Sequence, residues 1–322
     1  VRRYLRVLTP LLIMVMAVML SGCSGQYLVL DPKGPIGESQ RDLIYISAIL
    51  CAVILVPVLI MTAVIVWRYR ENNKKVAYKP KWEHSTKLET LVWGVPTVII
   101  IILAAFTIKY TYDLEPSKAI ASEHEPVTIE VTSLDWKWLF TYPDEGIATV
   151  NYLKFPEGVP IRFHLTSDQA MNSFWIPQLG GQIYTMSGMA MTLYLQADEA
   201  GEYYGSGANF TGEDFSKMTF KADAVSNEDY NAWVQQVKSS SPELTMDGYH
   251  KLAEKGTSDE QSFSSFPKGL FQQIVMQYMN GSDMPMHHGN SESAGSDKDM
   301  GDMDMDGMDK DMDMGSSEHA NH

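Results

Sequence analysis

The chain has 322 residues, a net charge of −15 and 45% hydrophobic residues, the apolar ones gathered in three blocks near the N-terminus and much of the acidity held in 282–322. Acidity of this kind, with no basic patch after the membrane region, argues against nucleic acid as a partner. The only two cysteines, Cys23 and Cys51, both precede the exported part, so no disulfide can staple that part and its β-rich core must suffice.

Residues 1–22 place Arg2, Arg3 and Arg6 ahead of an apolar run over 7–20, the pattern of a secretory signal peptide. The sequence L-S-G-C that ends at Cys23 resembles the bacterial lipobox, which implies cleavage before Cys23 and lipidation of its thiol. After an extracytoplasmic segment over 23–42, residues 43–67 carry no charge and, at ~1.5 Å per helical residue, outrun the ~30 Å hydrocarbon core. Pro57 lies inside this first transmembrane helix, and Cys51 is expected to be a packing residue there. A second transmembrane helix is expected over 91–110. The loop between them, 68–90, holds Arg68, Arg70, Lys74, Lys75, Lys79, Lys81 and Lys87, so it is expected to be cytoplasmic. Both flanking segments then face outward, the side that a lipidated Cys23 also requires.

Past the second span, V-T-I-E-V (127–131), I-R-F-H-L (161–165) and M-T-L-Y-L (191–195) alternate apolar and polar residues and predict strands. The stretches 156–158, 180–181, 200–201 and 205–207 read as turns at the spacing of an all-β sandwich covering 125–224. A helix capped by Ser226 is expected to run to Lys238. It opens a helical, aromatic-rich region over 226–280 that ends in a further helix. The tail, 282–322, repeats Asp-Met pairs with Gly, Ser and His, lacks aromatic and β-branched residues, and is expected to be disordered.

A blue copper site needs a thiolate and two imidazoles, and a binuclear copper site needs bridging thiolates. No cysteine follows Cys51, and His164 is the single histidine of 125–224, on a predicted strand where a structural role is expected. The sandwich is therefore predicted to be redox-inert.

Two stretches, T-S-D-Q-A-M-N-S-F-W-I-P (166–177) and G-E-Y-Y-G-S-G-A-N-F-T-G-E-D-F-S-K-M (201–218), resemble the two copper-binding loops of subunit II of haem-copper respiratory oxidases. The resemblance covers about residues 40–225, more weakly to 280. It implies two transmembrane helices plus an all-β cupredoxin-like sandwich, followed by C-terminal helices and the disordered tail. In the copper-bearing members the matching positions hold histidine, cysteine, glutamate and methionine ligands. Here Asn172 and Phe215 stand for the histidines, Gly207 and Thr211 for the cysteines and Asn209 for the glutamate, and only Met218 is retained. Such losses resemble the copper-less quinol oxidase branch, whose donor dissolves in the bilayer and needs no relay outside it.

The same resemblance implies a non-catalytic subunit II of a proton-translocating oxidase that couples quinol oxidation to reduction of dioxygen to water in a bacterial plasma membrane. No cofactor is expected on this chain: haems and catalytic copper would sit in subunit I. Expected partners are subunit I, smaller subunits, membrane lipids and, through subunit I, a quinol, menaquinol by general family habit. Glu89 matches a glutamate at the cytoplasmic mouth of a proton channel. Asp135, Trp136 and Trp138 lie in the aromatic stretch; alternation places both tryptophans on one strand face, expected to pack on subunit I or to anchor at the headgroups. In the tail, Met284, Met286, His287 and His288 are weak copper candidates, since thioethers favour Cu(I) and imidazoles accept Cu(II). The alternative is a stand-alone copper-handling membrane lipoprotein acting through that tail.

Overall fold

The computed structural model describes residues 27–70, 73 and 84–279. The expected signal peptide, Cys23, most of the loop over 68–90 and the tail with Met284, Met286, His287 and His288 lie outside those residues.

A 3-10 turn (Leu28–Leu30) leads into helix α1 (Pro35–Arg68), and α2 (Thr86–Asp113) follows. Both are long and apolar enough to cross a membrane, with mean hydropathies of 3.1 and 2.5. Helix α1 starts at Pro35, ahead of the uncharged run from Leu43, because proline is pre-set for a first helical turn and Glu38 suits the positive end of the helix dipole. This polar extension docks on the sandwich. Lys33 N–H donates to the Gln178 carbonyl (2.8 Å), Asp198 N–H to the Lys33 carbonyl (2.8 Å), and Gly37 N–H to the Leu179 carbonyl (3.1 Å). A Cβ at Gly34 would lie 2.0 Å from the Gln196 carbonyl oxygen, so only glycine allows so close an approach.

The sandwich follows with β1 (Val127–Leu134), β2 (Lys137–Tyr142), β3 (Ile147–Val150), β4 (Tyr152–Pro156), β5 (Ile161–Ser167), β6 (Asn172–Trp175), β7 (Ile183–Thr185), β8 (Met191–Leu195), β9 (Gly201–Gly207) and β10 (Thr219–Val225). After them come α3 (Asn227–Ser240), α4 (Met246–Ala253), the short β11 (Gln261–Phe263) and α5 (Leu270–Met279). One sheet has the order β11-β3-β2-β1-β5-β8 and the other β4-β10-β9-β6-β7, with β1–β5 and β4–β10 parallel and all other pairs antiparallel. The three strands expected from alternation are β1, β5 and β8. The serine cap is also present: the Ser226 hydroxyl accepts from Asp229 N–H and starts α3.

Between the sheets, Phe174 stacks on Phe220 (5.0 Å, 8°) and Trp138 meets both edge-on (5.4 and 5.7 Å). Such pairs add about 0.5–1.5 kcal/mol each beyond their buried area. A second core lies on the outer face of the six-stranded sheet, where Leu134, Leu139, Ala148 and Val150 meet Leu244, Tyr249, Leu252, Leu270 and Ile274. The segment carrying α4 and α5 therefore caps one sheet, and the central strands are buried on both faces.

The glycines at 205 and 207 are not turn residues: both lie in β9. A Cβ at Gly205 would sit 2.1 Å from the Phe220 ring, so glycine here makes room for a core aromatic.

Candidate functional site

Two loops meet at one end of the sandwich, the β5–β6 loop (168–171) and the β9–β10 loop (208–218). Ala208 N–H donates to the Ser173 carbonyl (2.8 Å) and Gly207 N–H to the Met218 carbonyl (2.9 Å), which aligns the base of one loop with the base of the other. Inside this joint three of the singled-out positions converge. The Asn172 amide donates through Nδ2 to the Met218 sulfur (2.7 Å), and its Oδ1 accepts from Ser173 N–H (2.8 Å). A Cβ on Gly207 would lie 2.9 Å from Asn172 Oδ1 and 3.3 Å from Met218 Sδ. Asn172 and Met218 are buried, at 2% and 0% exposure.

The other three positions point elsewhere. Asn209 Nδ2 donates to the Met171 carbonyl (3.1 Å), the Thr211 carbonyl accepts from Trp136 Nε1 (3.3 Å), and Phe215 packs on Phe210 at 5.7 Å. No three His, Cys, Asp or Glu side chains come together as a metal-holding group among the described residues.

The family model described as cytochrome c oxidase subunit II, periplasmic domain, matches residues 145–225, and one described as the COX aromatic rich motif matches 238–282. Ubiquinol oxidase subunit 2 of Acetobacter aceti is 45% identical over 267 residues, 82% of this chain and 86% of that protein. Cytochrome bo(3) ubiquinol oxidase subunit 2 of Pseudomonas putida is 47% identical over 262 residues, 81% of this chain and 83% of its own. Quinol oxidase subunit 2 of Bacillus anthracis is 45% identical over 259 residues, 80% and 89% of the two chains. The chain belongs to the quinol oxidase subunit 2 family. Its sandwich is accordingly the cupredoxin-like domain that the loop resemblance implied.

Copper does not fit the loop joint of this quinol oxidase subunit 2 chain. The donors present are an amide and a thioether already bonded to each other, beside a glycine with no side chain to offer.

The tryptophans require a correction. They do not share an exposed strand face, because Trp136 sits in the β1–β2 turn with φ +59° and only Trp138 is in a strand. Neither presents itself to a partner or to headgroups: Trp138 is 0% exposed in the core, and Trp136 is 5% exposed under the Lys255 ammonium, 5.0 Å from its ring. Asp135, half-buried, is the member of the trio with access to solvent. Next to it Lys137 is buried, donating through Nζ to the Glu254 and Gly256 carbonyls (2.6 and 2.8 Å), and burial lowers its pKa.

Glu89 lies in the first turn of α2, half-exposed, paired through Oε1 with His84 Nδ1 (2.5 Å) and accepting from Ser85 N–H (3.4 Å). It is far in sequence from the loop joint and shares no contact with it. His164 on β5 meets Thr192 Oγ1 (3.3 Å), and burial, then the Arg162 charge, lowers its pKa, so its imidazole is neutral at pH 7.

Sequence reasoning passed over Asp168. Its carboxylate is 6% exposed in the β5–β6 loop and accepts from two tyrosine hydroxyls, Tyr249 (2.5 Å) and Tyr278 (3.0 Å). An acid flanked by polar neighbours gives no local sign of burial; the available signal was the pair of tyrosines in the aromatic-rich region.

Proposed function

We propose that this chain is the non-catalytic subunit II of a proton-translocating terminal quinol oxidase, in which two quinols are oxidised for each dioxygen reduced to two waters. The observation that carries this reading is the closed Asn172–Met218 pair at Gly207. A water-soluble electron donor would need a relay in the exported domain, and at this joint the position for one is occupied by an amide–thioether bond. A quinol reaches its oxidation site through the bilayer. Haem and copper chemistry then belongs to the partner, subunit I, while this chain's helices and sandwich stabilise and position it.

In the same reading, Cys23 carries the lipid, the loop over 68–90 faces the cytoplasm, and the sandwich faces outward. Glu89 then stands at the cytoplasmic start of α2, open to water on one side and next to apolar helix on the other, at the mouth of a proton-uptake path into subunit I. Its His84 partner sets an imidazole nitrogen against that carboxylate, at 2.5 Å.

The test is purification of the full-length chain in mild detergent. Co-purification with a haem-bearing large subunit and quinol-driven oxygen uptake are expected; a chain isolated alone and loaded with copper would overturn the assignment. Within the assembled oxidase, Glu89→Gln is expected to lower steady-state turnover by about a hundredfold, the low end of what loss of one acid–base group produces, with haem content unchanged. Full turnover would remove Glu89 from proton uptake and leave the subunit assignment standing.

A further inference from the structure

The Asp168 carboxylate has a constellation of its own. Tyr249 comes from α4 and Tyr278 from the last turn of α5, so two separate helices close on a single loop residue. The Tyr278 hydroxyl also reaches the Asp168 carbonyl (2.6 Å), and Asp168 N–H donates to the Ser133 carbonyl (3.1 Å). Gln169 Nε2 donates to the Ala253 carbonyl at the end of α4 (3.3 Å). Gly188, with φ +77°, sits so close to α5 that a Cβ would be 3.2 Å from the Tyr278 backbone.

The loop so held is connected outward. Met171, 45% exposed, is tied by its carbonyl to Asn209, and the next residue, Phe210, is 77% exposed, the most exposed aromatic of the sandwich. The other side of that second loop leans on Trp136, whose ring lies under Lys255 of the same capping segment. Both loops therefore report to the cap, one through Asp168 and one through Trp136.

We propose that α4 and α5 form a clamp that fixes the apolar tip made by Met171 and Phe210, and that Asp168 is the positioning residue through which it grips. Hydrogen bonds from neutral hydroxyls to a carboxylate are short and strong, and a buried carboxylate stripped of them is left unsolvated. The clamp is thus cooperative: once one tyrosine leaves, the remaining charge favours water, and the loop follows.

The experiment is hydrogen exchange on the full-length chain in detergent for the wild type, Asp168→Asn, and the double variant Tyr249→Phe/Tyr278→Phe, which removes only two hydroxyls and keeps the rings in their packing. Amides over 168–171 and 208–212 are expected to exchange about tenfold faster in both variants, the factor that loss of a charged hydrogen bond produces, with β1, β5 and β8 unchanged. A phenolate absorbance titration supplies a second readout: in Asp168→Asn, two phenols are expected to ionise at lower pH than in the wild type. Unchanged loop exchange in the double variant would overturn the proposal. So would exchange that rises throughout the sandwich, since Asp168 would then serve the fold as a whole.

Discussion

Gly205 lies directly opposite Phe220 in the β9–β10 pair, and a Cβ there would collide with that ring. Phe220 cannot yield, because it is 3% exposed and stacked on Phe174. Gly205→Ala is therefore expected to destabilise the sandwich by ~1–3 kcal/mol, the usual cost of overpacking a filled core, and the midpoint of chemical unfolding in detergent measures it. An unchanged midpoint would mean that the Phe220 ring has room that the geometry denies. This glycine also shows why the second loop was only partly legible in the sequence. A G-S-G triplet reads as a turn unless its partner ring is known, and Phe220 is fifteen residues away along the chain. The substituted ligand positions were legible as letters, since no thiolate or imidazole remains among them. The bond between Asn172 and Met218 was not, because it depends on the start of β6 meeting the end of the β9–β10 loop, 46 residues on. Trp136 failed for a related reason: alternation in W-K-W looks like a strand, while the first tryptophan falls in the two-residue turn that joins Leu134 to Lys137 and takes a positive φ there.

Among the elements, β5 and β8 were readable because polar positions of their alternating runs reach partial solvent exposure, whereas in β1 the period of two survives in residue type alone, with Glu130 half-buried and Thr128 buried. Strand β2, K-W-L-F-T-Y, is buried at every position, so its pattern carries no period. Leu139 faces the cap, and Trp138 and Phe140 face the other sheet. Helix α4 spans only eight residues and holds Gly248 within its first turn, too short and too weak a signal to stand out. Its attachment makes a pH prediction. Burial, then Asp168, raises the pKa of Tyr278 to about 12 and that of Tyr249 in the same direction. In the unfolded chain both ionise near the ordinary ~10, so the unfolded form loses its protons first. The contribution is whole below pH ~10 and is lost as pH rises through about 12. The thermal midpoint is expected to fall across that window. In Tyr249→Phe/Tyr278→Phe the decline is expected to be shallower though not absent, since burial also raises Tyr142, Tyr203 and Tyr230. An identical decline in the double variant would show that the two tyrosines do not set it.

For the molecule as a whole, the order of two apolar helices, a sandwich and a helical cap was legible from hydropathy and turn signals. What hydropathy missed is the join between the first helix and the sandwich, because residues 35–42 are polar and look like a linker. They are helix, and Gly34 and Gly37 bring that helix against the backbone of the β6–β7 and β8–β9 connections. Gly34→Val is expected to unseat the join without unfolding the sheets: limited proteolysis of the full-length chain should open near residues 27–34, with the sandwich fragment surviving. Resistance equal to that of the wild type would show that the contact at Gln196 is dispensable.

Because α1 is one continuous helix from this join into its apolar run, the exported domain is not hung on a flexible thread. Its orientation is mechanically the orientation of α1. Tilting is one way a span longer than the local hydrocarbon thickness fits, and a tilt of α1 carries the joined domain with it. A change in the angle of α1 is then also a change in where the Met171–Phe210 end of the domain points, with no ligand passing between the two.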